Sequence, residues 1–254
     1  MLLTVDVGNT NIVLGFYKDS ELLRAWRLAT DRDKTKDEYA ILLNSILKMS
    51  DIASGDIKGA VGSSVVPPLV EPITKVVKEM LSLNILWVSY KLDLGIRIAV
   101  DNPASVGADR IANAVGAYFL YGAPVIVIDM GTALTWCAID ENGNWLGGAI
   151  FPGIKVASEA LFAKTALLPR VELKKPRSSI GKNTEENIQS GLIFGYASMI
   201  DGMVRRIKRE IGEHAFVVAT GGLIDLVAEE SKEINLVNPW LTLEGLRIIY
   251  ERNS

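Results

Sequence analysis

The chain has 254 residues, 49% of them hydrophobic, and carries 27 Lys and Arg against 30 Asp and Glu, for a formal net charge of −3. That is too apolar for a disordered chain and lacks the basic excess that duplex binding needs, so no nucleic-acid partner is expected. A single Cys (Cys137) and a single His (His214) exclude an internal disulfide framework and any thiolate or imidazole metal cluster.

The first thirty residues alternate as a meander: a strand at Leu2 to Val7, a turn at Gly8 to Asn11, a strand at Ile12 to Tyr17, a turn at 18–20 and a strand at Glu21 to Ala29. The period then changes. Tyr39, Leu42, Leu43 and Ile46 share one helical face, as do Leu69, Ile73, Val76, Val77 and Met80. Short apolar strands fall at Ile57 to Val61 and Ile85 to Val88, and Ser105 reads as the cap of the next helix. The order then recurs: strands at Pro124 to Asp129, Ala133 to Ile139 and Asn144 to Ile150, joined by Met130-Gly131-Thr132 and the hairpin turn Asp140-Glu141-Asn142-Gly143. Helices are expected at 153–163 and 184–210, the second preceded by the capping pair Asn183 and Glu186. A strand at Ala215 to Thr220 and a helix opening at Gly222 complete the pattern.

The segments V-D-V-G-N-T at 5–10 and I-D-M-G-T-A at 128–133 align, which points to an internal duplication. Two α/β halves are expected, 1–115 and 116–254, each opening on a three-stranded meander, with a cleft between them. No apolar run approaches the roughly 18 residues of a membrane helix, and the N-terminus lacks a basic leader. The expectation is a cytoplasmic protein without a membrane partner.

Each repeat sets an Asp at a strand end just before a Gly-containing turn. Glycine lets backbone N–H groups approach an anion, Thr and Asn add short donors, and the Asp can hold a cation that a polyphosphate brings. One copy is explained equally well as a simple hairpin turn; two copies at equivalent places favour a phosphate grip. A third element, Thr220-Gly221-Gly222, runs from a strand into a Gly pair against which a base or ribose could lie. Asp109, in the first turn of its expected helix, suits the helix dipole, with Arg110 able to form a surface pair.

Asp6-Val7-Gly8-Asn9-Thr10, Asp129-Met130-Gly131-Thr132 and Thr220-Gly221-Gly222 resemble the two phosphate motifs and the adenosine motif of the acetate and sugar kinase, Hsp70 and actin superfamily. With Gly107-Ala108-Asp109-Arg110, the whole chain resembles type III pantothenate kinase. The resemblance implies duplicated actin-like (ribonuclease H-like) halves, each a mixed sheet with helices, and ATP-dependent phosphorylation of the primary hydroxyl of pantothenate, the first step towards coenzyme A. It implies nucleotide contacts along Asp6, Val7, Gly8, Asn9, Thr10, Asn11, Ile12 and Val13, and at Gly131, Thr132, Gly221 and Gly222. Asp6 would hold Mg²⁺ through water, and Asp129 a monovalent K⁺ or NH₄⁺. Asp109 becomes the general base, Arg110 the grip on the pantothenate carboxylate, and Val100, Gly107, Ala108 and Thr184 further substrate contacts. Val100 stands where relatives often carry Tyr.

In such relatives the residue at Thr184 reaches across a homodimer interface, and the broad apolar arc of the 184–210 helix also points to a dimer. A sugar-type kinase on the same fold and a non-catalytic regulatory protein are the competing readings; retention of Asp6, Asp109 and Asp129 favours catalysis. The basic run Arg205, Arg206, Lys208 and Arg209 reads as a solvated face, Cys137 as packing and His214 as surface.

Overall fold

The computed structural model describes all 254 residues, Met1–Ser254. The meander at the start forms as its alternation requires: β1 (Leu2–Val7), β2 (Asn11–Lys18) and β3 (Glu21–Ala29) pair antiparallel in turn. Helix α1 (Lys36–Met49) follows, opened by a capping box in which Thr35 accepts from Glu38 N–H while the Glu38 carboxylate reaches back to Thr35 N–H. Strand β4 (Gly59–Ser64) runs parallel to β1, α2 (Pro67–Leu81) follows, and β5 (Ile85–Trp87) closes the sheet in the order β3-β2-β1-β4-β5. Leu3, Val5, Val7, Ile12 and Phe16 of the sheet pack with Tyr39, Leu43 and Ile46 of α1 and Leu69, Ile73 and Val77 of α2.

The second sheet repeats the plan. β7 (Val125–Met130), β8 (Ala133–Ile139) and β9 (Asn144–Pro152) are antiparallel neighbours, and β10 (Phe216–Thr220) lies parallel to β7. Its order is β11-β10-β7-β8-β9-β6, with β11 at Leu236–Val237 and β6 at Arg97–Ile98. Apart from the added β6, the two sheets match strand for strand. The expected duplication is therefore real at the level of topology. Between β9 and β10 lie α4 (Ile154–Lys164) and α5 (Thr184–Ile211), and α6 (Asp225–Ala228) precedes β11. Ile126, Ile128, Leu134 and Trp136 face Leu192, Ile193, Ile200 and Val204 of α5.

The units are not contiguous halves. One comprises 1–96, 101–119 and 241–254; the other comprises 97–100 and 120–240. The sequence-based boundary after residue 115 falls inside α3 (Ala108–Tyr121). The last helix, α7 (Leu241–Asn253), holds in chain order the place that α3 holds in the first repeat. It nonetheless packs in the first unit, against β1, β4 and α3. Gly116 of α3 and Gly245 of α7 permit that crossing: a Cβ on Gly116 would lie 2.8 Å from Leu241 O, and one on Gly245 would overlap Ala112 O. Thr242 Oγ1 donates to Asn113 Oδ1 at 2.7 Å across the same interface. Such an exchange depends on close packing of distant segments and leaves no periodic trace.

The long helix corrects one expectation. Its apolar arc is largely covered within the chain, since Leu192, Ile193, Tyr196, Ala197, Ile200 and Val204 are buried and Phe194, Met199, Met203 and Ile207 are partly buried. Its exposed side carries Gly191, Gly195 and Ser198 instead. No helix is long and apolar enough to cross a membrane.

Candidate active site

The first hairpin grows directly out of the β1–β2 register. Asp6 pairs with Val13 and Val7 with Ile12, leaving residues 8–11 as the turn. Gly8 N–H closes it by donating to Asn11 O at 3.0 Å, so that N–H is committed to the turn and the tip residues Asn9 and Thr10 stand exposed. Val7 and Ile12 are buried, so whatever they offer a ligand is backbone; Asn11 and Val13 are partly exposed. On the neighbouring strand, Ser63 stands directly opposite Asp6, fully buried, and its Oγ donates to Asp6 Oδ1 at 2.7 Å. That bond fixes the orientation of the carboxylate.

The second hairpin follows the same rule with one residue fewer. Asp129 pairs with Thr135, six positions on, and Gly131 N–H donates to Ala133 O at 3.0 Å. Thr132 is exposed at the tip, and its carbonyl accepts from Gly153 N–H at 3.0 Å. Opposite Asp129 on β10 stands Thr220, so each acid faces a hydroxyl residue in register. Gly221, at φ +102°, then turns the chain so closely that a Cβ would lie 2.6 Å from Asp129 Oδ1 and 2.5 Å from Met130 O. Leu223 N–H donates to Met130 O at 3.3 Å. The structure thus brings Asp129, Gly131, Thr132 and Gly221 together within one unit, with Gly222 next in the chain. The helix expected to open at Gly222 begins only at Asp225, because 221–224 are occupied by this turn.

The third group sits at the start of α3. Ser105 does not cap that helix: it ends a short 3₁₀ turn, and its Oγ donates to Asn102 O at 2.8 Å. The helix starts at Ala108, and Gly107 O accepts from Ile111 N–H at 3.1 Å. A Cβ at Gly107 would be 2.6 Å from Asp109 Oδ1, so glycine leaves room for the carboxylate to fold back over the helix start, where it accepts from Arg110 N–H at 2.7 Å. The same Cβ would lie 3.6 Å from Val65 Cγ1, and Val65 N–H donates to Val7 O at 3.1 Å. Asp109 is therefore stationed by the strand end that carries Asp6. Burial pushes the Asp109 carboxyl above its ordinary pKa, against the Arg110 N–H bond and the nearby guanidinium, which pull it down. A carboxylate so desolvated is a stronger proton acceptor than one in water.

Val100 is partly exposed and lies just past the two-residue strand β6, where Ala99 N–H still donates to Trp145 O at 2.9 Å. Thr184 is the exposed first residue of α5; Asn183 caps that helix by accepting from Glu186 N–H at 2.9 Å, and the Glu186 carboxylate accepts from Lys182 N–H at 2.8 Å. Cys137 is buried, and His214 is exposed beside Glu141 at 3.2 Å. In the basic run, Arg205, Arg206 and Arg209 are exposed, as the solvated-face reading expects, whereas Lys208 is largely covered and pairs with half-buried Glu233 at 2.8 Å. Ser63 escaped the sequence reading, although superposing Val61-Gly62-Ser63-Ser64 on Val218-Ala219-Thr220-Gly221 aligns its hydroxyl with Thr220.

Residues 2–206 match the family model of type III pantothenate kinase. Across all 254 residues the chain is 50% identical to the type III pantothenate kinase of Exiguobacterium sibiricum, covering all of both chains. It is 45% identical to that of Bacillus cytotoxicus, covering 97% of the relative. The chain belongs to the type III pantothenate kinase family. Solved structures place the fold more widely. A putative Baf family transcriptional activator from Campylobacter jejuni aligns over 98% of this chain and 97% of that one, at 19% identity and a TM-score of 0.63. A putative 2-dehydro-3-deoxygalactonokinase from Sinorhizobium meliloti aligns over 99% and 96%, at 13% identity and a TM-score of 0.62. At such identities the likeness is one of fold, shared here with the duplicated sheets of actin-like sugar kinases.

Proposed function

We propose that this chain transfers the γ-phosphoryl group of ATP to the primary hydroxyl of pantothenate, and that Asp109 is the base. Family membership supports the reaction. The single structural observation that supports the residue is a desolvated carboxylate, held by Arg110 N–H at 2.7 Å beside the strand end of Asp6. Phosphoryl transfer through a loose transition state needs positioning and charge neutralisation more than covalent help. Asp109 accepts the hydroxyl proton as the oxygen approaches phosphorus. Arg110 holds the pantothenate carboxylate through its planar fork, with Gly107 and Ala108 beside it; Val100 is a further substrate contact by family resemblance.

Asn9 and Thr10 on the first hairpin and Thr132 on the second are the phosphate contacts each unit would offer, and Gly221 and Gly222 those for the nucleoside. The protein holds no group of three or more His, Cys, Asp or Glu suited to caging a metal. Asp6, oriented by Ser63 Oγ at 2.7 Å, would be the protein's anchor for a Mg²⁺ ion brought by the polyphosphate, which would neutralise charge on the transferring group. Asp129, beside the Gly221 turn, is the residue for a monovalent K⁺ or NH₄⁺.

The acting form is a homodimer in which Thr184 completes the neighbour's acceptor pocket. Support comes from exposed apolar side chains on β9, α4 and the segment after it: Ile150 at 66%, Leu167 at 91%, and Phe151, Val156, Leu161 and Phe162. An apolar stretch of this kind is what a subunit interface covers. An ADP-release assay against a panel of pantothenate, hexoses and glycerol tests the reading. Turnover confined to pantothenate, with 4′-phosphopantothenate as product, is expected; preference for a hexose would replace it with the sugar-kinase reading.

A further inference from the structure

The first hairpin has no positive charge of its own. Residues 8–11 are neutral, and Asp6 behind them is an acid. A polyphosphate seated there gains from a fixed cation as well as from backbone donors. The segment following β3 brings one. Thr30 N–H donates to Thr10 O at 3.0 Å, and Thr30 Oγ1 donates to Gly8 O at 2.6 Å. Two residues on, Arg32 Nη2 donates to Asn9 Oδ1 at 2.9 Å. Three hydrogen bonds therefore strap residues 30–32 across the hairpin.

Arg32 is exposed between two acids: Asp31 is taken by Lys34 at 2.7 Å and by Asp33 N–H at 3.1 Å, and the Asp33 side chain is itself exposed to solvent. A guanidinium has five donors and no acceptor, so Asn9 must turn its carbonyl oxygen towards Arg32 and its NH₂ group away. Both side chains consequently present donors at the tip. The second hairpin, one residue shorter, has no counterpart of Asn9 on which such a cation could be moored.

We propose that Arg32 binds the phosphate chain of the nucleotide, as a cation moored on Asn9 that belongs to the first hairpin alone. This rests on the nucleotide reading above. A guanidinium fork suits two phosphate oxygens at once, and its charge does not vary with pH. The plain alternative is that Arg32 only buttresses Asn9. Comparing AMP with ATP in Arg32→Gln separates the two, because loss of the cation weakens the ligand with the longer phosphate chain, whereas loss of a buttress weakens both.

Ligand-observed NMR titrations of wild type, Arg32→Gln and Arg32→Lys with AMP and with ATP plus Mg²⁺ test the proposal. Arg32→Gln is expected to weaken ATP by about tenfold, the lower end for a charge-assisted bond. AMP should change by less than about twofold, since it lacks the β- and γ-phosphates whose charge the guanidinium would meet. Arg32→Lys should recover part of the loss, and ATP affinity should depend less steeply on salt in the Gln variant than in wild type. Wild-type ATP affinity in Arg32→Gln would overturn the proposal, as would equal losses for AMP and ATP, which mark a buttress. A wild-type protein that phosphorylates pantothenate while Arg32→Gln binds ATP normally would refute this inference alone; a wild type that binds no nucleotide would refute both.

Discussion

Asp109 carries two demands that pull in opposite directions. Burial makes its carboxylate a better base and at the same time makes the charged form costly to fold around. Asp109→Asn should keep the fold and lower kcat by about 10²–10⁴, the usual worth of a general base, or roughly 3–5 kcal/mol of barrier. Steady-state kinetics checks this, and a folded Asn variant with wild-type turnover would remove Asp109 from the role. Because the folded-state pKa lies above the unfolded one, the folded protein takes up its proton first as pH falls. Wild-type stability therefore gains between the raised value and the ordinary one, and is lowest, as far as this group is concerned, above both. The Asn variant should unfold at a higher temperature than wild type at neutral pH, with the gap closing as pH drops through that window. The acidic limb of kcat/KM should also lie above the ordinary carboxylate range, because the base works only when ionised. Asp129 makes a different demand: rates should rise when K⁺ or NH₄⁺ replaces Na⁺ at constant ionic strength, which holds screening fixed. Equal rates in the two salts would count against a monovalent site.

At the scale of elements, the sequence was most readable where one face of a strand or helix repeats a simple period. Leu2 to Val7, Ile12 to Tyr17 and their counterparts after Val125 declare themselves by alternation and by Asp-x-Gly punctuation, and the structure keeps their order and pairing. The start of α3 was legible only in part. Asp109 does lie in its first turn, but Ser105, a good cap by composition, is drawn into the 3₁₀ turn after Asn102. Arg32 and Ser63 were silent because each acts through a partner more than twenty residues away. The α3–α7 crossing was equally silent, since Gly116 and Gly245 look like weak helix formers until their close approach is seen. That approach makes a prediction. Gly245→Ala should favour the isolated helix by up to about 1 kcal/mol, yet the added methyl overlaps Ala112 O. The net effect should be destabilisation by about 1–3 kcal/mol, the usual cost of overpacking, read from chemical denaturation. A more stable Ala variant would mean that α7 is free to shift.

For the whole molecule, the question is whether one chain holds a complete site. Asp109 and Thr184 lie in different units of the chain, and Thr184 is exposed at the head of α5. If Thr184 serves the neighbouring subunit, Asp109→Asn and Thr184→Arg are each inactive alone. Mixing them should then regain about a quarter of wild-type activity: random exchange yields half heterodimers, each with one intact pocket of two. Activity assayed after subunit exchange, itself verified by differential tagging, checks this. No recovery would place the whole pocket within a single chain, and full activity in a sedimenting monomer would dispose of the dimer altogether.

The return of α7 to the first unit also sets an order of events during synthesis. β1, with Asp6, and α3, with Asp109, are made early, yet the helix that packs on both is made only after residue 240. At 5–20 residues per second, the intervening stretch of about 120 residues occupies a ribosome for roughly 6–24 s. Over that interval the second sheet, nearly all of it encoded in one run, can close its core, whereas the first waits with the β1 surface bare. The first unit thus receives its last element after the second unit has been made, although its sheet and the core under α1 and α2 lie wholly within the first 90 residues. The packing that α7 lays over β1 and β4 is therefore added only after the second sheet has been made.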